Sequence, residues 1–248
     1  MTVLSVNVNK IAVLRNSRGG RDPDVLKAAE TCLRAGAYGI TVHPRPDLRH
    51  IRPEDVKALA EMCYPNSEFN IEGNPFAPPH GAYPGLLPLL EEFHPTQATL
   101  VPDSQAQLTS DHGFDPLRDV SGLAPLVASI HSFGCRVSLF VDPGCVALEA
   151  FRDIGVDRIE IYTGPYARQF ASGVTGTALE ACLRTAAAAD KLGLGVNAGH
   201  DLNQQNLPQL RQTIPWIAEV SIGHALIAEA LYAGLTATVS HYVRLCDS

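Results

Sequence analysis

The chain has 248 residues, of which 46% are hydrophobic, so it can bury a large core. It carries 19 Lys and Arg against 26 Asp and Glu, and it has no basic tail. This balance argues against duplex nucleic acid and anionic membranes as partners. The first residues do not have the organisation of a signal peptide, and no apolar run approaches membrane-spanning length. We therefore expect a cytoplasmic protein, with small phosphorylated molecules as candidate ligands.

The six cysteines are widely scattered and form no Cys-x-x-Cys pair. Without an export signal, they are expected to be reduced and mostly buried as small apolar side chains. The sequence gives no support for a structural zinc site. The cysteines are Cys32, Cys63, Cys135, Cys145, Cys182 and Cys246.

Short segments rich in β-branched residues, each followed by turn residues, predict eight strands. They are residues 3–9, 38–43, 68–72, 98–101, 136–142, 158–163, 194–198 and 219–222. Apolar residues at helical spacing lie between them and predict helices. The first helix lies between the Asp22-Pro23 cap and Gly36; the others are residues 53–62, 85–93, 120–133, 146–154, 177–192, 202–211 and 225–235, with a further helical stretch to 245.

Strands that alternate with helices predict a parallel sheet. Eight such units in about 250 residues are the size of a closed barrel. We predict an α/β fold, a (β/α)8 TIM barrel with extra helical elements, formed as a single domain over residues 1–248. The alternative is a doubly wound open sheet, but no Gly-x-Gly-x-x-Gly follows the first strand.

In such a barrel, the side chains at the carboxyl ends of the strands face the active site. Two of them, Asp103 and Asp142, are also ordinary turn formers, whereas glutamate and histidine are not favoured turn residues. Their convergence predicts a rim that can donate and accept protons. The strand ends carry Asn7 and Asn9, His43, Glu72, Asp103, Asp142, Glu160 with Thr163, Asn197 with His200, and Gly223 with His224.

Two cationic clusters suggest two anionic groups to bind, because arginine forks bind phosphate oxygens at two points. The Gly199-His200 and Gly223-His224 turns follow strands seven and eight, where phosphate sites are common. The polar segment 103–115 resembles a lid. Solvated loops and simple turns are the alternative for each. The clusters are Lys10, Arg15, Arg18 and Arg21 after strand one, and Arg45, Arg49 and Arg52 with His43 and His50 after strand two.

An ordered series of motifs then narrows the function. It runs through residues 6–19, 39–45, 49–51 and 70–72, and continues through 100–102, 108–109, 137–142, 159–164, 196–200 and 222–224. Among these are Ile40-Thr41-Val42-His43-Pro44-Arg45 and Val196-Asn197-Ala198-Gly199-His200. The series resembles the pyridoxine 5′-phosphate synthase family along nearly the whole chain.

The resemblance implies a transferase of vitamin B6 biosynthesis. That family condenses 1-deoxy-D-xylulose 5-phosphate with 3-amino-2-oxopropyl phosphate, giving pyridoxine 5′-phosphate, phosphate and water. It implies no metal and no organic cofactor, and it implies a homo-oligomer, an octamer.

The resemblance also implies residue roles. Two side chains would accept protons, one would donate a proton and one would stabilise a transition state. Two further sets would hold the pentulose phosphate and the aminoketone phosphate. In that order they are His43 and Glu72; His200; Glu160; Arg45, His50 and Thr109; and Asn7, Arg18, Gly223 and His224.

Three features depart from the commoner family pattern. Asn9-Lys10 stands where many members have Asp-His, and Asp201 stands where many have glycine. These positions belong to the expected substrate site, although their contacts are open. The segment 74–88 is longer and richer in proline than usual.

Two other functions stay open. One is a metal-dependent sugar-phosphate isomerase or lyase with Glu72, Glu160, His200 and His224 as ligands, although no spacing typical of metal sites supports it. The other is a non-catalytic barrel that senses a phosphorylated metabolite. That function would require the loss of an acid or a base, and the sequence keeps them all.

Overall fold

Eight parallel strands close into a barrel in the computed structural model, which describes residues 1–104, 106–174 and 176–247. Each strand pairs with the next along the chain, and β1 closes the barrel against β8. The strands are β1 Val3–Asn7, β2 Gly39–Val42, β3 Glu68–Gly73, β4 Gln97–Leu100, β5 Arg136–Val141, β6 Arg158–Tyr162, β7 Gly195–Gly199 and β8 Glu219–Ile222. The predicted (β/α)8 barrel is confirmed.

The helices lie outside the strands, and some of them are additional to the one-helix-per-strand plan. They are α1 Asn9–Asn16, α2 Val25–Arg34, α3 Pro53–Cys63, α4 Leu86–Phe93, α5 Val120–Ser132, α6 Glu149–Asp153, α7 Gly164–Ala171, α8 Thr177–Lys191, α9 Leu207–Thr213, α10 His224–Ala233 and α11 Leu235–Asp247. Within the described residues, none of these helices is both long and apolar enough to cross a bilayer.

Two short helices, α1 and α7, were not predicted. The first strand ends at Asn7, where its side-chain Oδ1 accepts the Asn9 N–H at 3.0 Å and turns the chain into α1. In α7, Pro165 fixes the first turn and the buried Tyr166 hydroxyl donates to the Asn206 carbonyl at 2.7 Å. Both helices have eight residues, too few to show a clear helical period.

Strand alternation makes the barrel lumen polar and its outer surface apolar. Side chains point alternately to the two faces of a strand. Outward residues such as Val6 and Ile40 are fully buried under the helices. Inward, Thr41 lies 2.7 Å from the Ser5 hydroxyl, and Asn70 donates to Thr41 at 3.3 Å. The hydrophobic core therefore lies between strands and helices rather than inside the barrel.

The base of the lumen is closed by paired charges. Arg136 donates to Glu68 at 2.6 Å, and Arg158 lies 3.4 Å from Glu219. Burial, followed by the charge of Glu68, raises the pKa of Glu219 to about 7. A carboxylate at this depth needs its arginine partner to remain ionised.

A second buried ion pair joins α1 to α3. Arg15 Nη1 and Nη2 donate to Asp55 Oδ1 and Oδ2 at 2.5 and 2.9 Å, and the Arg52 N–H donates to the same carboxylate at 2.8 Å. Arg15 is 6% exposed. Arg15 was predicted to belong to a cationic cluster that binds an anionic group. That prediction is wrong for Arg15, because its guanidinium is paired with Asp55 and holds α1 against α3.

Asp55→Asn should destabilise the protein by about 3–5 kcal/mol, because it leaves a buried guanidinium without its counter-charge. Urea unfolding followed by circular dichroism measures this change. Glu54→Gln is the matched control, because Glu54 is the neighbouring carboxylate and its side chain is 70% exposed. We expect its effect to stay within about 0.5 kcal/mol. Equal stability of the two variants would contradict the proposed structural role of the pair.

Candidate active site

Three strand ends bring Asn7, His43 and Glu72 together. His43 Nδ1 lies 3.7 Å from Glu72 Oε2, and Asn7 Nδ2 donates to the same oxygen at 3.3 Å. The Ser221 hydroxyl, from β8, lies 3.5 Å from Glu72 Oε1. The histidine and the carboxyl are thus adjacent at the carboxyl-terminal mouth of the barrel, where the strand pattern predicted them.

The environment drives the pKa values of this pair in opposite directions. Burial raises the pKa of Glu72 to about 8, helped by the charges of Asp103 and Glu219 and opposed by Arg45. Burial also holds the pKa of His43 well below its usual value, followed by the charges of Arg45 and other neighbours. At neutral pH the carboxyl is protonated and the imidazole is neutral. One group can give a proton and the other can take one.

Asn9 organises the backbone beneath His43. Its side-chain Oδ1 accepts the His43 N–H at 3.0 Å, so it ties the start of α1 to the end of β2. Lys10 is exposed at the mouth, and its charge contributes to lowering the pKa of His50. The side-chain amide of Asn9 therefore holds the backbone of His43, a contact that the sequence did not reveal. The neighbouring Lys10 side chain is exposed and can contact a ligand at the mouth.

Arg45 and His50 form a cationic and donor-rich wall beside His43. The Ile51 N–H donates to His50 Nδ1 at 2.9 Å, so a neutral ring carries its proton on Nε2. Burial and the charge of Arg45 lower the pKa of His50 to about 3. His50 thus offers a neutral N–H donor. The buried Arg45 guanidinium pairs with Asp103.

His200 follows β7, and two polar side chains contact its ring. Its Nε2 lies 2.8 Å from the Thr109 hydroxyl, and its Nδ1 lies 3.0 Å from Asp201 Oδ2. The Tyr162 ring packs edge-on against the imidazole, with centroids 5.2 Å apart. The hydrogen bond to His200 lowers the pKa of Asp201, so a carboxylate faces the ring.

Glu160 lies deeper, inside the barrel. It is 4% exposed, and burial, followed by the charges of Glu72 and Glu219, holds its pKa well above the usual value. A side chain at position 199 would clash with Glu160 Oε1, so Gly199 is required for this approach. Burial thus favours the protonated form of Glu160.

The remaining predicted residues lie at the edge of the mouth. Gly223 packs against Asn7, because a Cβ at position 223 would lie 3.0 Å from the Asn7 Cβ. His224 is the exposed first residue of α10, so the free N–H groups of this helix end face the same rim. Arg18 is exposed in the turn after α1. Within the described residues, no cluster of His, Cys, Asp and Glu is arranged to hold a metal ion.

Described residues of the segment 103–115 form hydrogen bonds with residues around the site. Thr109 reaches His200, as described above, and Arg49 Nη1 donates to the carbonyls of Gln107 and Leu108 at 3.0 and 3.1 Å. The Gly113 N–H donates to Asp142 Oδ1 at 3.0 Å. Asp142 thus anchors the segment.

Comparison with known proteins agrees with this geometry. The family model described as "Pyridoxal phosphate biosynthesis protein PdxJ" matches residues 4–248. The chain belongs to this family. Proteins named pyridoxine 5′-phosphate synthase are 60% identical in Xanthomonas oryzae pv. oryzae strain PXO99A, over 98% of this chain and 95% of that protein, and 57% identical in Xylella fastidiosa strain 9a5c, over 100% and 95%.

Solved structures of more distant sequence share the fold. A ligand-free tryptophan synthase from M. tuberculosis gives a TM-score of 0.65 at 12% identity, over 100% of this chain and 94% of that chain. A thiamine phosphate pyrophosphorylase from Pyrococcus furiosus gives 0.60 at 10% identity, over 99% and 95%. At these identities the likeness concerns the barrel alone.

Glu72→Gln should stabilise the protein at alkaline pH while it abolishes activity. Since the folded-state pKa of Glu72 is raised from about 4.5 to about 8, the folded state binds the extra proton between these values, and stability falls as pH rises through that window. Glutamine removes the titration. We expect the variant to melt a few degrees above wild type at pH 8 and near it at pH 4.5.

Melting curves across pH measure this difference. The control is Glu91→Gln, on the exposed side of α4, which should follow wild type at every pH. A Glu72→Gln variant that melts in parallel with wild type from pH 4.5 to 8 would show that Glu72 ionises without cost in the folded protein.

Proposed function

We propose that the chain is a pyridoxine 5′-phosphate synthase, condensing 1-deoxy-D-xylulose 5-phosphate with 3-amino-2-oxopropyl phosphate to give pyridoxine 5′-phosphate, phosphate and water. The observation that carries the proposal is the His43–Glu72 pair, with its opposed pKa shifts, beside the cationic Arg45 wall. Family membership supports the same reaction.

Amine addition, phosphate loss, ring closure and dehydration each move a proton at a defined place. Neutral His43 is the first acceptor. Glu72, whose Oε2 lies 3.7 Å from His43 Nδ1, is the second acceptor and acts in its ionised form, after its own proton has passed to solvent. His200 donates a proton from the opposite side of the mouth, and the buried acid of Glu160 stabilises negative charge that develops on an oxygen.

The two phosphates would occupy different sides of the mouth. Arg45 and the His50 Nε2–H would bind the pentulose phosphate, with Thr109 closing over it from the segment 103–115. Asn7, Gly223 and His224 would bind the aminoketone phosphate at the α10 N-terminus, where backbone N–H groups favour an anion. Arg18 would approach that phosphate from the exposed turn after α1.

The variant positions fit this division. Asn9 would act mainly by holding the His43 backbone, as its hydrogen bond indicates. Lys10 would draw a phosphate or hydroxyl oxygen to the mouth. Asp201 would act on substrate through His200, because its carboxylate lies 3.0 Å from Nδ1 and would orient the ring.

Residues 1–248 would form a single domain that assembles into a homo-oligomer, an octamer as in the family pattern. Neighbouring helices α1 and α10 support an interface, because they expose large apolar side chains. Leu231 and Tyr232 are 71% and 94% exposed, and Leu14 is 50% exposed. A cytoplasmic location fits a biosynthetic enzyme of this kind.

The direct test is to mix both phosphates with the purified protein and follow the pyridine chromophore. Activity should survive exhaustive chelation, because a side chain is assigned to each proton transfer. Loss of activity that only a divalent ion restores would instead favour the metal-dependent isomerase or lyase. Binding of either phosphate without turnover would favour the sensor.

His43→Asn should leave the fold intact and slow turnover by about 10²-fold or more, the usual range for one general base. The change keeps a polar side chain that can form hydrogen bonds but removes the basic nitrogen. His241→Asn, at an exposed position on α11, serves as the control and should be active. Near-wild-type turnover of a folded His43→Asn would reduce His43 to a structural residue.

A further inference from the structure

Asp103 is a buried carboxylate. From the sequence pattern it could not be distinguished from an ordinary turn residue. It follows β4 and is 5% exposed. Its Oδ2 accepts both the Arg45 guanidinium and the Ser110 hydroxyl, the latter at 2.7 Å. Its Oδ1 is also buried and takes no hydrogen bond from any described residue.

The carboxylate lies in the wall of a narrow, partly open pocket beside His43. His43 and Arg45 line the same pocket. The proline-rich segment supplies the outer wall: Asn74 Nδ2 donates to the Asp103 carbonyl at 2.8 Å, and Tyr83, 1% exposed, closes the far side. The longer segment 74–88 is therefore an ordered part of this site.

Stability alone does not account for this arrangement. A buried ion pair contributes little to folding, since the loss of hydration offsets the attraction between the charges. A buried acceptor without a hydrogen bond is itself destabilising. The Arg15–Asp55 pair, which is structural, uses both carboxylate oxygens. Asp103 leaves one oxygen free beside the reactive groups, as expected of a residue that serves a ligand.

We propose that Asp103 is a positioning residue for the condensation: it holds the Arg45 guanidinium beside His43 to receive the pentulose phosphate, and it ties the segment 103–115 to that guanidinium through Ser110. The proposal rests on the proposed function. It makes substrate capture by Arg45 and closure of the segment a single linked event.

Two opposing effects decide what happens when the carboxylate charge is removed. A free Arg45 would attract phosphate more strongly, because Asp103 no longer neutralises it. However, a buried guanidinium without its partner is strongly unfavourable, so Arg45 would leave its position for water. The loss of position is the larger effect. Asp103→Asn should therefore weaken binding of the pentulose phosphate.

The same charge acts on Glu72. The groups that face this carboxyl are His43, Asn7, Ser221, Arg45, Asp103, Glu160 and Glu219. The change to asparagine removes the negative charge of Asp103, which favours ionised Glu72. The movement of Arg45 into water acts the other way but is the smaller effect, because the charge of Asp103 raises the pKa of Glu72 more than the charge of Arg45 lowers it. The pKa of Glu72 should fall below about 8. The ascending limb of kcat/KM against pH, which reports this ionisation in the free enzyme, should then move to lower pH.

The experiment compares Asp103→Asn with Asp111→Asn, an exposed carboxylate of the same segment. We expect Asp103→Asn to raise the calorimetric Kd and the KM for 1-deoxy-D-xylulose 5-phosphate about tenfold or more, the value of one charged hydrogen bond. The KM for the aminoketone phosphate should change less than about twofold. The ascending limb of kcat/KM against pH should move to lower pH. Asp111→Asn should match wild type in all three measurements.

Ser110→Ala removes the hydrogen bond from Ser110 to Asp103 without removing a charge. It should raise the same Kd about threefold, as expected for a neutral hydrogen bond, and it decides the question if Asp103→Asn does not fold. In the double variant its effect should vanish. Equal weakening of both substrates, an unshifted pH limb, or additive effects in the double variant would overturn the positioning role.

The binding measurement separates this proposal from the proposed function. Wild-type protein that binds the pentulose phosphate but yields no pyridine would refute the synthase, while the Kd comparison still decides the role of Asp103. Wild-type protein that does not bind the pentulose phosphate would refute both.

Discussion

Loss of hydration around carboxyl groups inside the barrel is the constraint on which the site depends. Glu72, Glu160 and Glu219 point into one lumen, where the charge of Glu219 raises the pKa of the other two and the charge of Glu72 raises that of Glu160. Burial alone disfavours the charged forms, and their mutual repulsion adds to it. Among the described residues, Glu219 is the one of these three that is ion-paired with an arginine, at the base. Glu72, near the mouth, therefore holds a proton at neutral pH in the free protein, and it must lose that proton before it can act as the proposed base.

Such a lumen contributes little hydrophobic stabilisation, so the outer shell must supply it. The outward side chains of every strand are apolar, and those of β1 to β3, such as Val6, Ile40 and Ile71, are fully buried. Several inward side chains form hydrogen bonds with one another, as Thr99 does when it donates to Asn70 at 3.1 Å. The fold thus separates its two tasks by strand alternation: the outer face holds the barrel together, and the inner face holds the chemistry.

The strand positions and the strand-end residues were predictable because each depends on local pattern. β-branched runs mark the strands, and the barrel brings their ends to one rim. What the sequence could not reveal depends on pairing across the fold. Arg15 looks like any loop arginine until α3 brings Asp55 to it, and Asp103 looks like a turn residue until Arg45 meets it. The scaffold role of Asn9 likewise needs the end of β2 beside it.

The turn that carries His200 shows how the fold sustains an unfavourable backbone for the sake of a side chain. His200 and Asp201 have φ of 79° and 60°, in the left-handed region that favours glycine, although Asp tolerates it better than most residues. Two contacts hold the turn: the Thr163 hydroxyl lies 2.6 Å from the His200 carbonyl, and Asn206 Nδ2 donates to the Asp201 carbonyl at 3.1 Å. Glycine at position 201 would relax the backbone but remove the carboxylate beside His200 Nδ1. The strain is thus maintained where it places a negative charge against the proton donor.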